Sequence, residues 1–550
     1  MALRVPKSTL PQLFKDGYKF QSGIEEAVLR NIDATHEFSE VVRTSMGPNG
    51  RNKMIINHLE KLFVTNDAAT IIRELDIVHP AAKLLVMASQ QQESEMGDNT
   101  NFVVVFAGAL LQKAEYLIKM GLHPSEICLG YQLARDRALE ILPELEVDQI
   151  KSMTDKKELL KIIKAPISSK QYGYEDLLSE LVVEAALNIM PKNPKDFNVD
   201  NIRVVKVMGS SIHESSVVKG MVFGREPEGL IRATKKAKIA VFTCPLDLTQ
   251  TETKGTVLIH NAKEMLNFSK DEEKQVEKIF QDLADAGVTV VVTGNGIGEL
   301  SLHYLNKFNI MAVKVLSKFD LRRLCRVIGA TALARLGTPM AEEMGECDIV
   351  ETVEIGSDMV TVFRQEELAS TRTTTIVIRG ATQNHMDDIE RAIDDGVSVI
   401  KAATRDNRLL PGAGAMEMEL NKRLQEVAAK TPGLNQHAIK KFAEALEVVP
   451  RTLCENAGME ATAVLSRLYA AHYQEDKSGN AIGVDIENPV EGTMDATAAG
   501  IFDSLATKAC ALKLAADTAI TILSVDQIIM SKPAGGPKPP KKESHWDEED

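Results

Sequence analysis

Residues 53–71, KMIINHLEKLFVTNDAATI, read as two short apolar strands, 53–57 and 62–65, the second ending in the turn Asn66-Asp67. Helical pattern surrounds this hairpin. Upstream, Ser22 and Glu25 make a capping box ahead of Ile24, Val28 and Ile32, and Phe38, Val41 and Val42 continue the apolar face. Downstream, apolar residues recur through 81–96 and again through 102–120, with the tight corner Gly97-Asp98 between them. The first 145 residues therefore predict a mainly helical unit broken by one hairpin.

The middle of the chain has a different character. From 150 to 215 the pattern is mixed, and from 217 to 367 strands at 239–242, 288–292 and 311–315 alternate with helices, which predicts an α/β module. Inside it, Ser269 and Glu272 form a second capping box, opening a helix with Val276, Ile279, Phe280 and Leu283 on one face and Gly287 at its close. Its charged outer side reads as a solvated helix face, with a protruding, movable element as the other reading. Helix returns at 386–400 and dominates 415–525. The predicted fold class is thus multidomain α and α/β, with a helical unit assembled from both chain ends around an α/β insert. The last 20 residues, Pro, Gly and Lys followed by the acidic run 546–550, hold too little apolar surface to order, which leaves Trp546 exposed.

Composition narrows the function classes. At 550 residues the chain exceeds a single core, and roughly 150 residues per domain suggests about three or four. A formal charge of -14 opposes binding to a phosphate backbone, so no nucleic-acid partner is expected. No run of 18 apolar residues lacks a charge, and the start carries no apolar signal segment; the expectation is no membrane and a cytoplasmic location. Cys128, Cys244, Cys325, Cys347, Cys454 and Cys510 lie far apart without metal-ligand spacing and read as reduced, mostly buried thiols.

Three glycine corners touch helix ends: Gly47-Pro48-Asn49-Gly50, Gly97-Asp98-Asn99-Thr100 and Gly412-Ala413-Gly414-Ala415. The second and third precede helices, whose free N–H groups and positive dipole ends suit phosphate or ribose oxygens. Each alone also reads as an ordinary turn, and Asp98 as a plain helix cap. No G-x-x-x-x-G-K-[ST] occurs, so a nucleotide site here needs acids in place of a P-loop lysine. Asp67 ends a strand, Asp98 opens a helix, and Asp395 shares a helix face with Asp388, opposite Met386, Ile389, Ile393 and Val397. Asp395 taken alone reads as a solvated surface acid. Together, one carboxylate on Mg2+ and two aligning water make a complete hydrolytic set. The loop Gly294-Asn295-Gly296-Ile297-Gly298 imitates a dinucleotide fingerprint, but its third glycine falls one residue early and Asp320 lies beyond the next strand; it reads as a plain strand-to-helix turn.

In order along the chain, these segments resemble the group II chaperonins of the eukaryotic cytosol from about 23 to 530. Gly47-Pro48-Asn49-Gly50 is similar to that family's GPKG, residues 65–71 to TNDGATI, and Gly97-Asp98-Asn99-Thr100 to GDGT. Glu390-Arg391 with Asp395 is similar to ERSLHDAL, Gly412-Ala413-Gly414-Ala415 to GGGA, and Gly483-Val484-Asp485 to GVD. Residues 57–61, Asn101, Ala413 and 532–537 point to one particular subunit type.

The resemblance implies the chaperonin fold: an equatorial ATPase domain from 1–148 and 407–530, an intermediate domain from 149–216 and 370–406, an apical domain at 217–369 with a helical protrusion near 246–280, and a tail at 531–550. It implies a subunit that encloses non-native polypeptides such as actin and tubulin, working with seven paralogous subunits in a hetero-octameric ring, two rings stacked, through cycles of ATP/ADP and Mg2+. Asp98 is implied as the Mg2+ ligand, Asp67 and Asp395 as the catalytic carboxylates, and Asp503 as the ribose partner. Ser45, Met46, Gly47, Pro48, Asn99, Thr100, Asn101, Gly412, Ala413 and Gly483 are implied as further nucleotide contacts, and Arg322 and Arg323 as polypeptide contacts. The chain departs from the family pattern at Asn49, Asn99 and Ala413. Asn tolerates φ > 0, which keeps the corner at Asn99, whereas the Ala413 methyl stands where backbone approaches nucleotide and implies a weakened site. A decayed site and a dinucleotide oxidoreductase are the alternative readings.

Overall fold

Both ends of the chain build one helical body. The computed structural model describes residues 19–21, 24–57, 59–247, 262–356, 358–365, 373–474 and 479–530. Helices Ile24–Arg43, Pro80–Glu95, Thr100–Lys119 and Pro124–Ile141 from the first part pack with Ala415–Lys430, Asn435–Ala445 and Leu505–Leu523 from the last. The Thr100–Lys119 helix is apolar nearly all round, with Phe102, Phe106, Leu110 and Leu111 buried, as expected of a helix with neighbours on every side. It is also the one described helix long and apolar enough to cross a membrane, and 67% of that stretch is buried in this core. Phe106 meets Phe442 edge-on at 5.5 Å, Tyr131 meets Phe442 at 5.6 Å, and the Tyr131 hydroxyl donates to the Leu110 carbonyl at 2.9 Å. Strand Lys19–Gln21 pairs with Ile528–Met530, so the first and last described strands meet.

A second core lies between helices Lys156–Ser168, Glu175–Ile189 and Gln383–Arg405 and the strands Ile202–Met208 and Thr374–Gly380. The nine-stranded sheet continues from these strands through Ser216–Phe223, Asp358–Arg364, Gly345–Ile355, Ala233–Phe242 and Val290–Thr293 to Met311–Lys314, with Ala332–Leu333 also pairing beside Ala233–Phe242. Its far half carries two further apolar clusters, one under helix Lys318–Ile328 and one under Ala262–Asp285. The α/β expectation holds for the edge, where Ala233–Phe242, Val290–Thr293 and Met311–Lys314 run parallel, while the centre is antiparallel.

The hairpin forms with strands Lys53–Ile56 and Leu62–Thr65 in the register Lys53 to Thr65, its first strand one residue shorter than expected. The capping box at Ser269 and Glu272 does not open a helix. One helix runs unbroken over Ala262–Asp285, because the strong formers before Ser269 continue the same turn pattern. Its close matches expectation: Gly287 has φ +83°, its N–H meets the Ala284 carbonyl at 2.9 Å, and Val288 N–H meets Leu283 at 3.1 Å. Ser22, the stretch 248–261 of the expected protrusion, and the tail with Trp546 lie outside the described residues. The six cysteines are free thiols, Cys347 and Cys454 buried and the other four only partly so.

Helix crossing in the first core depends on Gly108. A Cβ there would lie 2.3 Å from Ser39 Oγ and 2.4 Å from Ser39 Cβ, and that hydroxyl is already committed to the His36 carbonyl at 2.8 Å. Gly108→Ala should therefore destabilise the chain by about 1–3 kcal/mol, read as a lower thermal midpoint by calorimetry of the purified protein. Gly296→Ala, which meets nothing within 4 Å, should stay within about 0.5 kcal/mol of the parent.

Candidate nucleotide site

Widely separated stretches of chain converge on one cavity of about 470 Å³ at the junction of the first and second cores. The hairpin delivers the first of them. Asp67 follows Thr65 and caps helix Ala68–Glu74, its Oδ2 accepting from Thr70 N–H at 3.1 Å and Thr70 Oγ1 at 2.8 Å. Its other oxygen is free to face inward, and Lys170 Nζ lies 3.1 Å from it.

The Gly97–Thr100 corner supplies Asp98. Gly97 at φ +78° and Asn99 at φ +64° both adopt the left-handed region, so the family-departing Asn99 keeps the corner that glycine would make. The helix cap is Asn99, not Asp98. Gln92 Nε2 donates to the Asp98 carbonyl at 2.9 Å, and Asn99 Nδ2 to Asp98 Oδ2 at 3.2 Å. Gly97 also permits a close approach: a Cβ there would fall 2.3 Å from Ser398 Cβ, on the helix that carries Asp395. Asp395 is not a solvated surface acid. Its side chain is 14% exposed, because this helix is covered on both faces, and it ion-pairs with Lys170.

The third corner leaves strand Arg408–Pro411 and opens helix Ala415–Lys430, with Ala413 at φ +55° and Gly414 at φ +82°. The Ala413 carbonyl accepts from Val484 N–H at 2.8 Å. Its methyl lies 2.9 Å from where a Cβ on Gly483 would stand, so Gly483 is the residue that accommodates alanine here. Asp503 enters opposite, on strand Phe502–Ser504 paired with Arg408–Pro411. Lys508 Nζ sits 3.2 Å from Asp503 Oδ2 and 2.8 Å from Glu417 Oε1, over the Phe102 ring at 4.9 Å.

Of the residues named from sequence, Met46, Gly47, Pro48, Asp67, Asp98, Asn99, Thr100, Asn101, Asp395, Ala413 and Asp503 line the cavity together. Ser45, Gly412 and Gly483 do not. Ser45 is buried, its hydroxyl turned back to the Val42 carbonyl at 2.7 Å and its own carbonyl bonded by Asn101 Nδ2 at 3.3 Å. Gly412 lies against Ile501 and Gly483 against Ala413, so both shape the wall from behind. Arg322 and Arg323 do not line the cavity; they lie on the surface side of helix Lys318–Ile328, over the far half of the nine-stranded sheet. Sequence reasoning missed Lys170 and Lys508. The Ser-Ser-Lys-Gln segment around Lys170 carries no periodic or motif signal, and Lys508 is, by pattern, one helical lysine among many.

The electrostatics divide the acids. Burial acts to raise Asp67, but Lys170 and the Thr70 hydrogen bonds outweigh it and bring the carboxyl down to about 2. Burial raises Asp395 well above an ordinary carboxylate, opposed by Lys170 and reinforced by Asp67 and Asp98. Asp98 is likewise raised, by burial first and then by Asp503. Burial works against the Lys170 ammonium, yet Asp395 and Asp67 hold it charged, far above a free lysine. The lining holds more carboxylates than lysines, and Lys170 and Lys508 are already paired. A polyphosphate entering here must therefore bring a cation. The left-handed corners and the buried, unpartnered Oδ1 atoms of Asn66 and Asn101 fit such a guest, since they offer backbone N–H groups to phosphate and oxygens to a cation or its waters.

The dinucleotide alternative fails on geometry. Gly298 caps helix Glu299–Lys307, and a Cβ on it would lie 2.7 Å from the Asp247 carboxylate, which occupies the place a pyrophosphate needs.

The family model described as the TCP-1/cpn60 chaperonin family matches residues 38–533. A probable T-complex protein 1 subunit theta of Schizosaccharomyces pombe is 60% identical over 549 residues, covering all of both chains. The T-complex protein 1 subunits theta of Homo sapiens, 53% identical over 550 residues, and Saccharomyces cerevisiae, 53% over 568, also match over the whole of both chains. These relatives agree with the subunit type that Asn101 and Ala413 suggested. On the fold, the acid-lined cavity and this full-length similarity, the chain belongs to the TCP-1/cpn60 chaperonin family.

Proposed function

We propose that this chain is an ATP-hydrolysing subunit of a cytosolic, hetero-oligomeric double-ring chaperonin, and that the cavity between its first two cores is the site of Mg-ATP. The observation that carries the reading is the convergence of Asp67, Asp98, Asp395 and Asp503, from four distant segments, on one cavity walled by left-handed corners. Asp98 would hold Mg2+, which when bound neutralises phosphate charge. Backbone N–H groups at the Gly47, Asn99 and Ala413 corners cradle phosphate, and Asp503 suits a ribose hydroxyl. Asp67 and Asp395 hold the attacking water between them, Asp67 having the lower proton affinity of the two.

Separate apolar clusters, one in the helical body, one beside it and two on the far half of the sheet, support a division into an equatorial domain (1–148 and 407–530), an intermediate domain (149–216 and 370–406) and an apical domain (217–369). Asp395 belongs to the second, so hydrolysis reports that this unit is seated on the first. The relatives are named as subunits, which supports assembly with other chains; our reading is a ring with seven paralogous partners, two rings stacked. Non-native polypeptides, actin and tubulin among them, would meet helix Lys318–Ile328: Arg322 is exposed, Phe319 is 72% exposed, and Leu321 and Leu324 face inward. Arg323 is partly engaged, 3.6 Å from Asp320 and 4.0 Å from Asp200.

Asp395→Ala should leave nucleotide binding nearly intact while removing hydrolysis at this chain, whereas Asp98→Ala should weaken Mg-ATP binding itself. Nucleotide content and single-turnover hydrolysis of complexes carrying each variant check this; an empty site in Asp395→Ala contradicts the assignment. Lys170→Met strands two buried carboxylates and should cost on the order of 3–5 kcal/mol near pH 8. Without the ammonium, burial lifts the folded-state affinities of Asp67 and Asp395 for protons above their unfolded values. The penalty therefore grows as pH rises through those raised values and shrinks toward pH 5, measurable as a pH-dependent midpoint difference from the parent. Crosslinking from Phe319 or Arg322 to a stalled client should exceed crosslinking from any surface of the helical body; the reverse ranking rejects the client face.

A further inference from the structure

A second acid on the Asp395 helix makes contacts that neither metal binding nor water activation uses. Asp388 is 4% exposed and stands seven residues before Asp395, two turns earlier on nearly the same face. Its Oδ1 accepts from Thr65 Oγ1 at 2.7 Å, with Arg391 Nη1 at 3.5 Å, and its Oδ2 accepts from Gln171 Nε2 at 2.6 Å. Thr65 Oγ1 in turn accepts from the Asp67 backbone N–H at 3.1 Å. Gln171 is the neighbour of Lys170, whose ammonium spans Asp67 and Asp395. The contacts close a ring: Asp388 to Thr65 to Asp67, to Lys170, to Gln171 and back, with Asp395 held rigidly on the same helix.

We infer that Asp388 is a positioning residue for hydrolysis, tying the hairpin end that carries Asp67 and the loop that carries Lys170 to the helix that carries Asp395. The inference rests on the hydrolytic reading of the cavity. Its physical basis is that three groups on three chain segments must meet a reacting centre within a fraction of an ångström, and Lys170 is a long, flexible side chain whose two ion-pair contacts do not by themselves fix the loop that carries it. A carboxylate supplies two acceptor oxygens in a fixed plane, so one side chain fixes two loops relative to its own helix. Burial raises the Asp388 carboxyl, opposed first by its Thr65 hydrogen bond.

The test compares Asp388→Ala and Asp388→Asn in the full chain within the purified complex. Alanine removes both acceptors. Asparagine keeps an acceptor for Thr65 and, with the Gln171 amide reversed, a hydrogen bond on the other side. Asp388→Ala should lower single-turnover hydrolysis at this chain on the order of tenfold or more, change ATP affinity less than about threefold, and increase amide exchange at 168–173. Asp388→Asn should recover most of the rate and the protection. Wild-type turnover and exchange in Asp388→Ala would overturn the proposal, as would equal impairment of both variants in step with a lowered thermal midpoint, the mark of a purely structural acid. Should Asp388→Ala fail to assemble, Thr65→Val and Gln171→Leu each cut one side of the tie, and unchanged rates in both reject it. If the wild-type chain releases no phosphate at its own site, the hydrolytic reading falls, and the exchange comparison still decides whether Asp388 ties the loops.

Discussion

The Lys170 ammonium, with 9% of its side chain exposed, holds two carboxylates from different cores, Asp67 at 8% and Asp395 at 14% exposure. Removing three charges from water costs several kcal/mol apiece, recovered only when geometry and hydrogen bonding are good. Here the hydrogen bonding is supplied by Thr70 on one side. The arrangement is stable only while the hairpin end, the loop after helix Lys156–Ser168 and helix Gln383–Arg405 keep their relative places. A buried ion pair is weak support for stability but strong support for register, because each misplacement leaves an unpaired charge inside the protein.

The rest of the architecture serves that register. The short sheet of Asp148–Gln149, Arg408–Pro411 and Phe502–Ser504 gathers the points where the chain leaves and re-enters the helical body, and it sets the Ala413 corner beside Asp503. Gly97 lets helix Gln383–Arg405 press onto the Asp98 corner at Ser398. Lys206, with Asp387 at 2.6 Å and Glu390 at 2.7 Å, fixes the start of that helix to strand Ile202–Met208. Further out, Arg203 on the same strand pairs with Asp320 on the helix proposed to meet clients. Three separate ion-pair sets, joined by helix Gln383–Arg405 and strand Ile202–Met208, thus lie between the cavity and helix Lys318–Ile328.

Much of this was legible in the amino-acid order, for local reasons. Apolar spacing located the hairpin and the helices at 81–96 and 102–120 to within two residues, while the helix expected at 386–400 runs longer, over Gln383–Arg405, and glycine corners flagged three walls of the cavity. Asn99 kept its corner because its side chain tolerates the left-handed region. The misses share a cause in tertiary structure. Ser269 resembles a cap because capping is written over four residues, while the helix through it is set by the stretch on both sides. Asp395 reads as solvated because periodicity distinguishes one apolar face, whereas this helix is packed on both. Lys170 lies 103 residues from Asp67 in sequence, and nothing local in 168–171 announces that three chain segments meet there. Motif likeness implies Ser45, Gly412 and Gly483 as nucleotide contacts; in the structure they stand behind the lining, a placement that depends on which atoms face the cavity.

The central claim is that this chain's own cavity turns over ATP. The most direct measurement uses a complex in which every other paralogous subunit carries an inactivated nucleotide site and this chain alone is intact. Rapid-quench counting of phosphate on mixing with Mg-ATP is expected to give one phosphate per copy of this chain in the first turnover. Bound nucleotide at that stoichiometry with no phosphate released would contradict the account.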